Sequence, residues 1–239
     1  QLSPNIIYVP DVTDIGYGTA SGGNPNLEPV ESKNFDLSLE WYFAEGSVLY
    51  GTWFQRDISN NVVPFRNPVV YDNPDDPDRG PYTYILSQPD NAGNSTLDGW
   101  EFGLTWFPDL DGWLDGIGFQ GSYTILDSEQ EIPVTDAEGN ITEFDILPIG
   151  GVSESSYSAI LAYDRPSFNA RLSYFWRDDF YDRQEAALFA NPLQIWKSAE
   201  KSLDFQLSWI ISDSWTMTFD GTNLTDEIYH ENYGNQSTI

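Results

Sequence analysis

The stretch NFDLSLEWYF, residues 34–43, alternates polar and apolar side chains from end to end. Its apolar members are Phe35, Leu37, Leu39, Trp41 and Phe43. Successive side chains of a β-strand point to opposite faces, so this period of two predicts a strand with one apolar and one polar face. The stretch GWEFGLTW, residues 99–106, repeats the pattern with Trp100, Phe102, Leu104 and Trp106.

The same alternation recurs along the chain and predicts eight strands. Their ranges are 34–43, 48–57, 99–106, 117–125, 156–163, 168–177, 202–209 and 215–220. The segment 48–57 is the least regular, because Trp53 and Phe54 are adjacent and fall on opposite faces. Helical periodicity is scarce, so we predict an all-β fold.

The connections alternate in length. Residues 44–46, 164–166 and 212–213 form short turns, and 108–115 is somewhat longer. The long connections are 59–96, 128–154 and 178–199, which we expect to be loops. Compact soluble domains rarely tolerate structureless loops beyond about 15 residues, whereas outer-membrane barrels have tight turns at one end and long loops outside. The pattern therefore predicts an antiparallel transmembrane β-barrel.

Aromatic residues cluster at both ends of these strands. At the short-turn end lie Trp41, Phe43, Trp106, Phe168, Trp209 and Trp215; toward the long loops lie Phe35, Tyr123, Tyr174 and Trp176. Two such bands are typical of the aromatic girdles at the membrane interfaces. The alternative is a soluble β-sandwich in which the same aromatic faces meet in a core.

In a barrel, the polar strand faces would line the interior. The interior candidates are Asp36, Glu40, Glu101, Arg171, Arg177 and Asp204. These side chains could form a transport path or pair with a domain that fills the lumen, and we favour the second because wide barrels are commonly plugged.

The amino-acid composition excludes several classes of function. The 239 residues carry 10 Lys plus Arg against 38 Asp plus Glu, a formal charge of −28, which argues against a nucleic-acid partner. The chain has no cysteine, which excludes disulfides, zinc–thiolate sites and thiol nucleophiles. Its single histidine, His230, excludes any mechanism that needs two. No run of about 20 apolar residues is present, so no transmembrane helix is predicted.

We predict neither an enzyme nor a metal site. Carboxylate pairs such as Glu129 and Glu131 could suggest glycoside hydrolysis, but they lie in expected loops without a positioning motif. The acidic run DNPDDPD, residues 72–78, could offer oxygen ligands to Ca²⁺. It lacks the spacing and glycine of a calcium-binding loop, so we favour a solvated acidic loop.

Four motifs occur in order along the chain. Residues 23–29 and 31–43 read GNPNLEP and ESKNFDLSLEWYF, residues 147–153 read LPIGGVS, 169–177 read NARLSYFWR, and 221–229 read GTNLTDEIY. Together they resemble TonB-dependent outer-membrane receptors, most closely the large subgroup common in Caulobacter- and Xanthomonas-type bacteria.

The resemblance implies a 22-stranded barrel with a plug domain inside it and a TonB-contacting segment ahead of the plug. Residues 1–239 would then be the C-terminal portion of the barrel, without the plug, the N-terminal strands or the last strand. The alternative is a self-contained eight-stranded barrel with a structural or adhesive role, since eight is an allowed even number.

The resemblance also implies TonB-energised uptake of a scarce solute across the bacterial outer membrane, without a cofactor. The expected partners are membrane lipid and lipopolysaccharide, the protein's own plug, TonB with its inner-membrane energising complex, and the solute. A surface lipoprotein is a further candidate partner. We favour an oligosaccharide or peptide-like solute over a ferric siderophore, because aromatic rings can stack on sugars and acidic loops repel anions. The candidate ligand-binding residues are Tyr71, Tyr82, Tyr84, Phe144, Tyr181 and Trp196.

Overall fold

The computed structural model describes residues 18–71, 82–135, 140–185 and 193–234. The strands are β1 Gly18–Ser21, β2 Glu31–Ala44, β3 Ser47–Ser59, β4 Val62–Tyr71, β5 Tyr82–Asn91, β6 Ser95–Trp106, β7 Ile117–Thr135, β8 Ile141–Leu147, β9 Ser155–Arg165, β10 Phe168–Arg177, β11 Phe180–Glu185, β12 Leu193–Lys197, β13 Glu200–Ser212, β14 Trp215–Gly221 and β15 Glu231–Tyr233. The eight predicted strands are confirmed as β2, β3, β6, β7, β9, β10, β13 and β14. No helix in the described ranges is long and apolar enough to cross a membrane.

The chain divides into two compact units. Of the described residues, the first unit comprises 18–33, 57–71, 82–96, 129–135 and 140–147, and the second comprises 34–56, 97–128, 148–185 and 193–234. In the second unit the eight predicted strands form one sheet in the order β2-β3-β6-β7-β9-β10-β13-β14. Strands that follow one another among these eight are therefore neighbours in the sheet. The β7–β9, β9–β10, β10–β13 and β13–β14 ladders are antiparallel.

The apolar face of this sheet is exposed. Leu39 is 78% exposed, Trp41 63% and Leu161 53%. Among the described residues the buried hydrophobic side chains are Phe65, Ala92, Ala162, Phe180, Tyr181 and Ile195, and no large apolar residue of the predicted strand faces is among them. A β-sandwich would bury these residues, so the sandwich alternative is wrong.

The three long connections contain strands, so the expectation that they are loops is wrong. Residues 59–96 hold the β4–β5 hairpin, 128–154 hold the end of β7 paired with β8, and 178–199 hold β11 and β12. Proline obscured the hairpin in the sequence because it donates no ladder hydrogen bond, and here Pro64 lies opposite Pro89. The acidic run 72–78 lies outside the described residues.

The first unit contains a three-stranded sheet in the order β1-β5-β4, in which β1 is parallel to β5. The GNPNLEP motif leads into the following strand through asparagine contacts. The Asn91 side chain accepts a hydrogen bond from Glu28 N at 2.7 Å and donates to the backbone oxygens of Glu28 at 3.0 Å and Asn60 at 2.9 Å. Asn24 Nδ2 donates to Asp90 Oδ1 at 3.0 Å. The motif therefore has a structural role, since it fixes the chain that precedes β2.

Candidate functional site

The polar face of the large sheet carries the predicted interior residues. Arg177 forms an ion pair with Glu200, its partner across the β10–β13 ladder, at 2.6 Å. Arg171 lies opposite Gln206, whose side-chain amide donates to Asp220 at 3.0 Å, and Asp204 accepts from the backbone N–H of Asn223 at 2.8 Å. Directly opposed residues project from the same face of a sheet, so these side chains form a continuous polar surface.

The three remaining interior candidates lie on β2 and β6, on either side of β3 in the sheet. Asp36 on β2 pairs with Arg56 on β3 at 2.6 Å, and Glu101 on β6 accepts a hydrogen bond from the Tyr50 hydroxyl at 2.8 Å. Glu40 on β2 accepts from the Tyr42 hydroxyl of the same strand. These contacts are local, and a position in a barrel interior stays a prediction for all six candidates.

The apolar face has aromatic rings at both ends and aliphatic residues between them. Tyr163 and Phe168 meet edge to face at 6.1 Å near the short turn, and Tyr157 stacks on Trp176 at 5.2 Å at the other end. Phe168 and Trp176 are eight residues apart, or about 26 Å at about 3.3 Å per residue. A strand tilted by about 40° then spans about 20 Å of bilayer, close to the apolar band of about 25 Å on barrel walls.

Strands β11, β12 and β15 form a separate three-stranded sheet, which we call the outer sheet. Phe180 is 3% exposed and Tyr181 and Ile195 are 2% exposed, so these three side chains of the outer sheet are buried. The Tyr181 and Trp196 rings meet edge to face at 5.9 Å. Burial raises the pKa of Tyr181, with a further contribution from the charge of Asp182.

The LPIGGVS motif runs along the edge of the outer sheet, and we call residues 148–153 the strap. Its Ile149 amide donates to Ser128 Oγ at 3.2 Å, its Gly151 amide to Tyr181 O at 2.8 Å, and its Ser153 hydroxyl to Asp178 O at 2.9 Å. A Cβ on Gly150 would lie 2.6 Å from Asp182 O. Only glycine allows the strap to approach β11 this closely.

The structure brings together some of the predicted ligand-binding residues and not others. In the first unit, Tyr71 is the register partner of Tyr82, while Tyr84 lies opposite Val69. Phe144 in the same unit lies opposite Pro133 and is 41% exposed. In the second unit, Tyr181 and Trp196 contact each other, and the buried Tyr181 ring offers no free face for stacking. Ligand binding by these residues remains a prediction.

Three polar residues of the outer sheet escaped the sequence interpretation. Gln184 lies opposite Gln194, and Trp196 lies opposite Asn232. The sequence does contain one indication of this arrangement: Gln194 and Trp196 are two residues apart, which places both side chains on one face of a strand. Treating 178–199 as a loop hid this alternation.

Asp179, between β10 and β11, provides a prediction about pH. Burial raises the pKa of its carboxyl, and a hydrogen bond with Asp178 and the charges of Asp178 and Glu154 raise it further. A carboxyl whose pKa is raised by folding stabilises the fold fully below its unfolded pKa of about 3.9, and this stabilisation is lost as pH rises through the folded pKa. Asp179→Asn should therefore raise the thermal denaturation temperature at pH 7, and the gain should vanish below about pH 4.

Thermal denaturation of the two proteins between pH 3 and pH 8 checks this expectation. Asp213→Asn, in the exposed β13–β14 turn, controls for the removal of one negative charge. An equal gain for both variants would show that net charge, not the environment of Asp179, is responsible.

An antiparallel meander with an outward apolar face and aromatic rings at both ends is the wall of a transmembrane β-barrel. The family model described as TonB dependent receptor-like, beta-barrel matches residues 3–224. The chain therefore belongs to the TonB-dependent receptor β-barrel family. No curated protein matches it.

Solved structures with the same fold are themselves receptors and transporters by name. The siderophore receptor PirA from Acinetobacter baumannii is 17% identical, with a TM-score of 0.58 over 90% of this chain and 30% of that one. A mutant of the ferric enterobactin receptor PfeA from Pseudomonas aeruginosa is 16% identical, with a TM-score of 0.58 over 88% and 28%. The FrpB iron transporter from Neisseria meningitidis is 14% identical, with a TM-score of 0.57 over 90% and 30%.

This chain thus spans less than a third of the length of those proteins. At these identities the likeness shows the fold alone. The family and its neighbours are not enzymes, in agreement with the sequence interpretation.

Proposed function

We propose that this chain is the C-terminal portion of the barrel of an outer-membrane receptor that takes up a scarce solute with energy from TonB. The supporting observation is the open antiparallel meander with an exposed apolar face, in a chain that belongs to the TonB-dependent receptor β-barrel family. In the described ranges the sheet ends at β2 and β14, which do not pair with each other. Backbone groups facing lipid must be hydrogen-bonded, so both edges require further strands.

That requirement counts against a self-contained eight-stranded barrel. Closure with eight strands would join β2 to β14 directly. Further strands at both edges are instead what a larger barrel, such as the 22-stranded type, would provide. The polar face with its ion pairs would then face a plug domain in the lumen, and the apolar face would meet membrane lipid and lipopolysaccharide.

The uptake cycle would proceed in two stages. The solute binds at the outer end of the barrel, where β11 and β12 follow the membrane-facing strand β10. TonB, driven by the inner-membrane energising complex, then displaces the plug, and no cofactor is consumed. A surface lipoprotein would be an additional partner at the outer end.

We propose an oligosaccharide or peptide-like solute in preference to a ferric siderophore. Along the long connection 128–154 the chain has seven Asp or Glu and no Lys or Arg. A region of this sign repels anionic chelates and admits neutral or cationic solutes. The names of the solved neighbours make a ferric siderophore the competing outcome.

Deleting the energising complex in the native host tests the uptake proposal. We expect active uptake to be abolished while surface binding of the solute persists, because binding precedes the TonB-driven step. Uptake that continues at the same rate would indicate a passive pore and overturn the proposal. Induction of the gene by iron starvation, with no response to glycans, would overturn the preferred solute class.

A further inference from the structure

We propose that one face of the outer sheet is the binding subsite for a neutral sugar ring, an inference that rests on the proposed uptake function. We call it the amide face and define it by Gln184, Gln194, Trp196 and Asn232.

Strand register places the four side chains together. Gln184 lies opposite Gln194 in the β11–β12 ladder, and Trp196 lies opposite Asn232 in the β12–β15 ladder. Gln194 and Trp196 are two residues apart on β12, so they project from the same side of the sheet. All four are half-buried, which leaves part of each available to a ligand.

The chemistry of the amide face suits a carbohydrate. A flat indole can stack on the apolar face of a sugar ring, and carboxamides both donate and accept hydrogen bonds, as hydroxyl groups require. Trp196 Nε1 donates to Gln194 Oε1 at 3.2 Å, which fixes the amide beside the ring. The Gln194 NH₂ group then remains able to donate to a hydroxyl oxygen.

The charged residues of the outer sheet lie on its other face. Arg183 is opposite the buried Ile195, and Lys197 is opposite Glu231. Arg183 lies 3.7 Å and Lys197 3.8 Å from the same Glu231 carboxylate, and Lys197 lies 3.6 Å from Asp182. These cations are already paired with carboxylates, so the described part of the sheet favours a neutral ligand over an anionic one.

The strap holds Tyr181, whose register partner across the β11–β12 ladder is Trp196 of the amide face. Tyr181 contacts the strap through its backbone oxygen, and its buried ring meets Trp196 edge to face. A Cβ added at Gly150 would lie 2.6 Å from Asp182 O and 4.0 Å from the Tyr181 ring. Gly150 is therefore a positioning residue that acts on the ligand through Tyr181 and Trp196.

An array of neutral oligosaccharides, probed with the intact receptor, tests the subsite. The strongest binder is then titrated against variants whose barrels are verified by heat-modifiable electrophoretic mobility. Trp196→Ala should weaken binding about tenfold or more, as aromatic anchors do, while Trp196→Phe should retain part of it. Gln194→Ala and Gly150→Ala should each weaken the same binding severalfold.

Two control variants separate this role from general effects. Trp113→Ala removes a 75% exposed tryptophan from the short 3₁₀ turn Gly112–Leu114 and should leave affinity unchanged. Gly23→Ala adds a Cβ where no atom lies within 4 Å and should also be silent. An equal loss in Trp196→Ala and Trp113→Ala would overturn the assignment.

The outcomes for the subsite and for the uptake function are distinguishable. Solute uptake that depends on TonB but is unaffected by Trp196→Ala would overturn the subsite and leave the function intact. Binding lost in Trp196→Ala, in a protein whose uptake ignores TonB, would support the subsite and overturn the function. An array without any binder, with binding of a ferric tris-catecholate instead, would overturn the subsite.

Discussion

Leu172→Arg should destabilise folding into lipid by about 2–4 kcal/mol, the cost of a cation near the bilayer midplane on a barrel's outer face. Leu172 is 40% exposed and lies opposite Leu161 in one ladder and Phe205 in the other. This row lies between the two aromatic bands, where no water or headgroup can solvate a guanidinium. Equilibrium folding titrations of the intact receptor into lipid vesicles measure the effect.

Ser173→Arg is the matched control, one residue along the same strand. Ser173 lies opposite Asp204 and Ile160 on the polar face, so an arginine there gains a carboxylate neighbour and leaves lipid undisturbed. We expect a small change in the free energy of folding, of about 1 kcal/mol or less. Equal costs at the two positions would contradict a membrane-facing apolar surface.

Gly116→Ala should be the most damaging single substitution at the short-turn end. Gly116 has φ +88°, and a Cβ there would lie 2.0 Å from Asp164 O. The Asp164 amide also donates to Gly116 O at 2.8 Å, so the two backbones cannot separate without losing this bond. The strain, the collision and the lost hydrogen bond together should cost about 3 kcal/mol or more in unfolding free energy.

Gly112→Ala separates the backbone strain from the collision and the lost hydrogen bond. Gly112 has φ +70°, but no atom lies within 4 Å of its added Cβ, so only the backbone conformation is strained. That strain should cost about 1–2 kcal/mol. Urea denaturation of both variants in the same lipid gives the comparison, and equal losses would show that the contact between Gly116 and Asp164 is unimportant.

The eight strands of the large sheet could be predicted because side-chain alternation is a local property. In β10 the residues from Phe168 to Arg177 alternate without interruption, and each strand of a barrel wall meets lipid on one side and polar groups on the other. The hairpin β4–β5 could not be predicted in this way. Pro64 and Pro68 weaken the strand signal of β4, and Pro89 interrupts that of β5.

The candidate site in the outer sheet could also be predicted only in part from the sequence. Trp196 could be singled out as an aromatic residue in an outer segment, but its neighbour Asn232 comes from the far end of the described chain. Tyr181 was predicted to bind ligand on the same grounds, yet its ring is 2% exposed. Composition cannot distinguish a packing aromatic from a binding one, because the strap that covers Tyr181 is brought there by tertiary contacts.

A nitroxide scan of β10 tests most directly whether this chain is a wall of a transmembrane barrel. The chain has no cysteine, so single cysteines from position 168 to 177 place the label without background from this part of the receptor. We predict that collision with oxygen in lipid is high at positions 168, 170, 172, 174 and 176 and low at the positions between them. Collision with a water-soluble nickel chelate should show a minimum at 172. Oxygen collision without a period of two, or high nickel accessibility at 172, would contradict a membrane-spanning strand.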